Sequence, residues 1–187
     1  MPDRFYLSLW LKDYDEAQML ERFRVLLDAF PYSRSSPRIR SFRICPLSWS
    51  EPLVVDEDFT GEGADIEYVL ALAREHLHGD YAYEATAAWD LWVFQKNGGP
   101  AAWKQAPRPV RLICSGPQFE EGRAEEGHLQ IDFGLDTPFR ADQSAPDTEA
   151  RAMARDYRER LQENIRKLLN FVRAVDAKLP TKRKLLW

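Results

Sequence analysis

Two stretches of this chain alternate like β-strands yet carry bulky apolar side chains on both sides of the alternation. In residues 4–12, Phe5, Leu7, Leu9 and Leu11 fall on one side, and Tyr6, Ser8 and Trp10 on the other. In residues 81–95, Tyr81, Tyr83, Ala85, Ala87, Trp89, Leu91 and Val93 oppose Ala82, Glu84, Thr86, Ala88, Asp90, Trp92 and Phe94. Alternate residues of a strand stand on opposite faces of the sheet. A sheet built from such strands is apolar on two faces, and monomers rarely leave a large apolar patch exposed. Each face therefore needs a cover, and that requirement restricts the fold more than any other feature.

The intervening segments supply helices. Asp13 or Asp15 can cap a helix whose apolar positions Met19, Leu20, Phe23, Leu26, Leu27 and Phe30 recur at helical spacing until Pro31 stops it. A Ser/Pro loop at 32–37 leads to a strand over 38–49, broken by Pro46, and a short apolar piece at 53–55. Asp65 caps a second helix along Ile66, Val69, Leu70, Ala73 and Leu77, which ends at Gly79. Residues 97–109 read as a loop, and 110–115 and 128–135 as strands. One long helix runs from Asp147 to Lys178, with the stripe Met153, Tyr157, Leu161, Ile165, Leu168, Val172, Val175 and Leu179, and Pro180 ends it.

This order predicts an α+β fold in two layers. Residues 1–95 match the ferredoxin-like βαββαβ pattern, and 96–187 extend it by two strands and the long C-terminal helix. A chain of 187 residues suits one such domain over 1–187. The alternative is a helix-grip arrangement, in which a curved antiparallel sheet wraps the C-terminal helix. The two crossover helices cover one sheet face. The first candidate for the other face is the long C-terminal helix, followed by a second copy or another protein, then a small ligand.

Charge bears on partners. Residues 1–60 carry 8 basic and 10 acidic groups, 61–146 carry 7 and 14, and 147–187 carry 11 and 6. An acidic middle and a basic end imply mutual attraction, with the helix lying on the sheet. The pI near 5.5, the acidic middle and the missing basic RNP1 pattern speak against nucleic acid. No apolar run approaches the roughly 20 residues of a membrane helix, and the N-terminus lacks a signal-peptide pattern. A soluble, cytoplasmic protein with Cys45 and Cys114 reduced and buried is expected.

Motifs for catalysis are missing: there is no GxxxxGK[ST], GxGxxG, HExxH, CxxC or GxSxG. His76 and His78 flank Leu77, and residues two apart on a helix point in opposite directions. A metal would need a frayed helix end, with Asp80 or His128 as a third ligand, so neither metal nor cofactor is expected. Glu84 and Asp90 share a strand face about 20 Å apart, too far for a glycosidase pair. Asp90 beside Trp92 is either a general acid or base, or the partner of an arginine. Asp132 and His128, about 13 Å apart along one strand, make no dyad unless other strands supply partners.

The leading expectation is a non-catalytic interaction protein that binds a protein partner or a second copy through an aromatic sheet face and the long helix. Tyr6, Trp10, Tyr83, Glu84, Asp90, Trp92 and His128 are the candidate contact residues. The alternative is a small-molecule binder or enzyme with a pocket between the sheet and the C-terminal helix, lined by Asp90, Glu84, Tyr83, Trp92 and His128.

Overall fold

The computed structural model describes residues 3–59, 61–95, 102–121, 127–140 and 150–187. The elements are β1 (Arg4–Leu11), α1 (Glu16–Ala29), β2 (Ser41–Pro46), β3 (Val55–Asp58), α2 (Ile66–Glu75), β4 (Tyr81–Gln95), β5 (Ala102–Ser115), β6 (Leu129–Leu135), α3 (Ala150–Lys178) and β7 (Thr181–Leu186). Asp15 caps α1 by accepting the Gln18 N–H at 2.9 Å, and Asp65 caps α2 by accepting the Tyr68 N–H at 2.7 Å. Each cap satisfies a first-turn N–H that has no partner within its helix.

All seven strands form one sheet in the order β3-β2-β4-β5-β6-β1-β7, every neighbouring pair antiparallel. The expected ferredoxin-like order does not form. In that unit the strands of βαββαβ are contiguous, whereas here β5 and β6 stand between β4 and β1. The hairpin from β4 to β5 fixes this outcome, because β5 occupies the side of β4 that β1 would need. The architecture is mixed α+β, with α1, α2 and the C-terminal half of α3 on one face.

That face holds the core. Leu7, Leu9, Phe42, Ile44, Tyr83, Ala85, Trp89, Leu112, Ile131 and Phe133 point into it from the strands, and Phe23, Leu27, Val69, Leu70, Phe171 and Val175 from the helices. The C-terminal half of the long helix therefore joins the layer of the crossover helices, while Tyr157 and Arg160 of its first half reach Trp103 and Trp92 on the second face, so among the described residues the expected cover forms at one end of that face and the middle stays open. Phe171 shows why the C-terminal half does so: its ring lies 5.6 Å from Phe30 and 5.8 Å from Trp89. Burying one such side chain is worth about 1.5–3 kcal/mol. The ion pairs of Arg160 with Asp156 and Glu163, and of Lys167 with Glu163, run along the helix itself. Exposed pairs of this kind contribute at most about 1 kcal/mol, so apolar packing rather than charge seats α3.

Two segments depart from the sequence reading. Residues 102–109, expected as loop, are strand, because a continuous register pairs them with β4 from Gln95 to Ala82. Ser115 donates its N–H to His128 O of the β6 segment, so odd-numbered residues of β5 face β6. Pro107 and Pro109 thus sit beyond Arg111, the last β5 residue paired with β6, and their missing N–H groups blunt the unpaired edge there. The end of the chain beyond Pro180, to which the sequence pattern assigns no element, is strand β7 beside β1.

β4 outruns β2, and its free edge is closed residue by residue. Thr86 O accepts from Arg40 N, Ala88 O from Ser33 N, and Asp90 O from the Lys167 ammonium at 3.0 Å. The Asn164 side chain accepts the Trp92 N–H and donates to Trp92 O, both at 2.9 Å. No helix among the described residues is long and apolar enough to cross a membrane.

Candidate functional site

The uncovered face is assembled by register. Thr86 of β4 stands opposite Arg111 of β5, Arg111 opposite Asp132 of β6, and Asp132 opposite Tyr6 of β1. Tyr6 exchanges backbone hydrogen bonds with Trp187. The adjacent row runs Arg43, Glu84, Ile113, Gln130, Ser8 and Leu185. The middle of this face is polar, with one aromatic group along β1 and β7 and another, Trp92, Phe94 and Trp103, where β4 and β5 meet the first half of α3.

Charges dominate the middle. Arg111 donates from Nη1 to Glu84 Oε2 at 3.1 Å and from Nε to Asp132 Oδ2 at 3.1 Å, with Nη2 also on Asp132. Arg4 Nη2 reaches the same Asp132 oxygen at 2.5 Å, and the Gly134 N–H donates to Oδ1 at 2.8 Å. Asp132 is 1% exposed and Glu84 5%, whereas the Arg111 and Arg4 side chains are 38% and 53% exposed. Burial opposes the Arg111 charge, but the hydrogen bond to Asp132 and the two carboxylate charges outweigh it and raise its pKa. The site thus presents guanidinium edges to solvent above a floor of neutralised carboxylates.

An aromatic shelf borders this network. The Tyr6 and Trp187 rings stack at 4.7 Å, and Trp187 Nε1 donates to Ser8 Oγ at 3.1 Å. The Arg183 guanidinium lies 4.5 Å from the Trp10 ring, which is 8% exposed. Tyr6, Trp10 and Glu84 therefore meet on one face, joined by Arg4, Arg111, Asp132 and Trp187. Sequence reasoning missed the arginines and Trp187, although the phase of β1 marked Tyr6 and Trp10. The missing signal was register between strands far apart in the chain. Asp132 does find its partners on other strands, and they are arginines rather than His128.

The remaining candidates lie elsewhere. Tyr83 is buried in the core, where its hydroxyl donates to His76 O at 2.8 Å and accepts the His78 N–H at 3.0 Å. Asp90 accepts the Ser33 hydroxyl at 2.6 Å and the Arg34 N–H at 3.1 Å, so it clamps the loop after α1 rather than pairing with an arginine. Trp92 lies under the Arg160 guanidinium at 3.9 Å.

His128 accepts the Leu11 N–H at Nδ1, 3.0 Å away, and stacks on Tyr14 at 4.2 Å. Gly127 before it has φ +89°, and a Cβ there would meet the Leu9 backbone at 3.0 Å, so glycine permits this close approach. Burial, then Lys182, lowers the His128 pKa. The Tyr14 hydroxyl donates to Ser115 O at 2.7 Å and lies 3.2 Å from Cys114 Sγ. Burial pushes the Cys114 thiol up to about 12, which keeps it protonated and poorly nucleophilic. Among the described residues no group of three or more His, Cys, Asp or Glu side chains could hold a metal ion. Comparison of the chain with protein-family models, with curated proteins and with solved structures found no match.

Proposed function

We propose that the protein is a non-catalytic interaction module that docks a partner protein on the uncovered face of its sheet. The supporting observation is the joining, on a part of the face that no helix among the described residues covers, of the Tyr6–Trp187 stack to Arg4 and Arg111. Tyrosine, tryptophan and arginine are the residue types that concentrate binding energy in protein interfaces. The guanidinium edges call for acceptors on the partner, and the stacked rings call for an apolar neighbour. A cytoplasmic setting agrees with two free thiols on opposite faces of the sheet, Cys114 in the core and Cys45 beside Phe119, too separated to join. The alternative pocket between sheet and C-terminal helix gains no support, since Trp89, Phe133 and Phe171 fill that place.

The test is native mass spectrometry of the protein purified from its own cells, with hydrogen exchange on any complex recovered. Expected is a bound protein subunit that slows exchange in β1, β5 and β6 and is lost in the Tyr6→Ala, Trp187→Ala double variant. A complex that survives this double variant, or protection confined to the helices, would overturn the reading.

A further inference from the structure

We infer that the two outer edges of the sheet are built to pair with one another between copies of this chain, β3 of one molecule beside β7 of the next. The inference rests on the strand edges and shares only Trp187 with the docking face. β3 and β7 are the edge strands of the sheet. β3 and the residues before it read Leu53, Val54, Val55, Asp56, Glu57, Asp58, and the end of the chain reads Lys182, Arg183, Lys184, Leu185, Leu186, Trp187. Laid antiparallel, these segments match in their order of apolar and charged residues. Apolar Leu53, Val54 and Val55 meet Trp187, Leu186 and Leu185, while Asp56, Glu57 and Asp58 meet Lys184, Arg183 and Lys182. Leu53, Val54, Leu185, Leu186 and Trp187 are all exposed, from 39% to 49%.

Backbone phase agrees with the same register. Phe59 donates to Arg40 O, and Val55 pairs with Ile44, so odd-numbered residues of β3 face β2 while Asp56 and Asp58 present their N–H and C=O outward; Val54 turns its N–H inward to Ile44 O, so the outward ladder starts at Asp56. Trp187 and Tyr6 exchange both backbone hydrogen bonds, so Lys184 and Leu186 face outward from β7, with Lys182 at its bulge. Asp56 opposite Lys184 is then a hydrogen-bonded pair of an antiparallel ladder. Like edges are kept apart, because β3 against β3 sets carboxylate on carboxylate and β7 against β7 sets cation on cation. The present partners of these charges, Arg43 for Asp56 and Asp176 for Lys184, form exposed ion pairs that cost little to exchange.

The pairing has a defined geometry. Asp56 stands beside Arg43 on the open face, and Lys184 beside Leu9 on the helix-covered face. Paired residues share a side, so the next molecule is turned over and helices alternate sides along a continuous sheet. This contact is heterologous and leaves one β3 and one β7 free at the ends, so it builds a growing array.

Sedimentation velocity of the full chain at rising concentration tests it, in about 10 mM and about 1 M salt, over which the screening length falls from about 30 Å to about 3 Å. Expected at low salt is a series of species above the monomer that grows with concentration and disperses at high salt. Lys182→Glu with Lys184→Glu, and separately Asp56→Lys with Asp58→Lys, should each remove every species above the monomer. An equimolar mixture of the two variants should restore the series, since each then offers the edge the other lacks, and this recovery also shows that both remain folded. A wild-type protein that stays monomeric at low salt, a closed dimer that does not grow, charge-reversed variants that assemble like wild type, or a mixture that fails to recover would each overturn the inference.

Discussion

On β4, Trp89 points into the helix-covered layer and Glu84 toward the open face, and both are nearly buried, at 3% and 5% exposure. Trp89 is held among Phe30, Phe133, Phe139 and Phe171. Glu84 is held by one guanidinium, which it shares with Asp132. The covered face relies on many small, non-directional contacts that are separately replaceable. The open face relies on a few directional, charged ones, each of which leaves a desolvated group behind if removed. The same pleat supports both, because its alternation keeps them from mixing. A surface of the second kind also keeps its aromatic and arginine side chains in place before a partner arrives, which lowers the ordering cost of docking.

The largest effect should come from the covered face. Trp89→Ala or Phe171→Ala should cost about 3–5 kcal/mol by denaturant unfolding, the range for emptying an aromatic site in a packed core. A cost below about 1 kcal/mol would mean the layer can collapse around the gap, which separates the two faces less sharply than described.

Next comes the charge network. Arg111→Met should cost about 3 kcal/mol, the low end for a broken buried pair because the guanidinium is partly exposed. Adding Glu84→Gln and Asp132→Asn to that variant should return most of the loss, since the stranded charges are then gone. If the triple variant is no more stable than Arg111→Met, the penalty lies in packing, and the open face resembles the covered one.

The smallest effect is a pH dependence at the rim of β1 and β6. His128 is neutral in the fold, because Nδ1 accepts the Leu11 N–H, and its pKa is lowered by burial and by Lys182. The unfolded chain therefore takes up the proton first. Stability should be intact above about pH 6.5, the ordinary histidine value, and should fall as pH drops from there through the lowered folded value. His128→Asn should flatten that part of the pH profile of thermal unfolding. Identical slopes in both proteins would remove His128 as the cause.

Much of the local structure is legible in the sequence. The alternation of residues 4–12 and 81–95, the caps Asp15 and Asp65, and the stop at Pro31 depend on neighbours within a few residues, and the structure bears them out in β1, β4, α1 and α2. Residues 102–109 misled because Pro107 and Pro109 read as breakers, when the hairpin register places them harmlessly at a free edge. Of the open face, Tyr6, Trp10 and Glu84 could be read from strand phase. Arg4, Arg111 and Trp187 could not, since they reach that site only through pairings between β1, β5, β6 and β7.

The sequence by itself determined the strands at 4–12 and 81–95, the helices that start after Asp15 and Asp65, and which of their side chains share a face, because backbone geometry and periodicity are short-range. Only the tertiary structure decided that β5 and β6 separate β4 from β1, and that the C-terminal half of α3 joins the other helices on one face. It also decided that two buried carboxylates converge on one arginine. Those outcomes depend on which strands win each other's edges and on where packing a helix buries the most apolar surface. Both are competitions between segments distant along the chain, and no local pattern records their result.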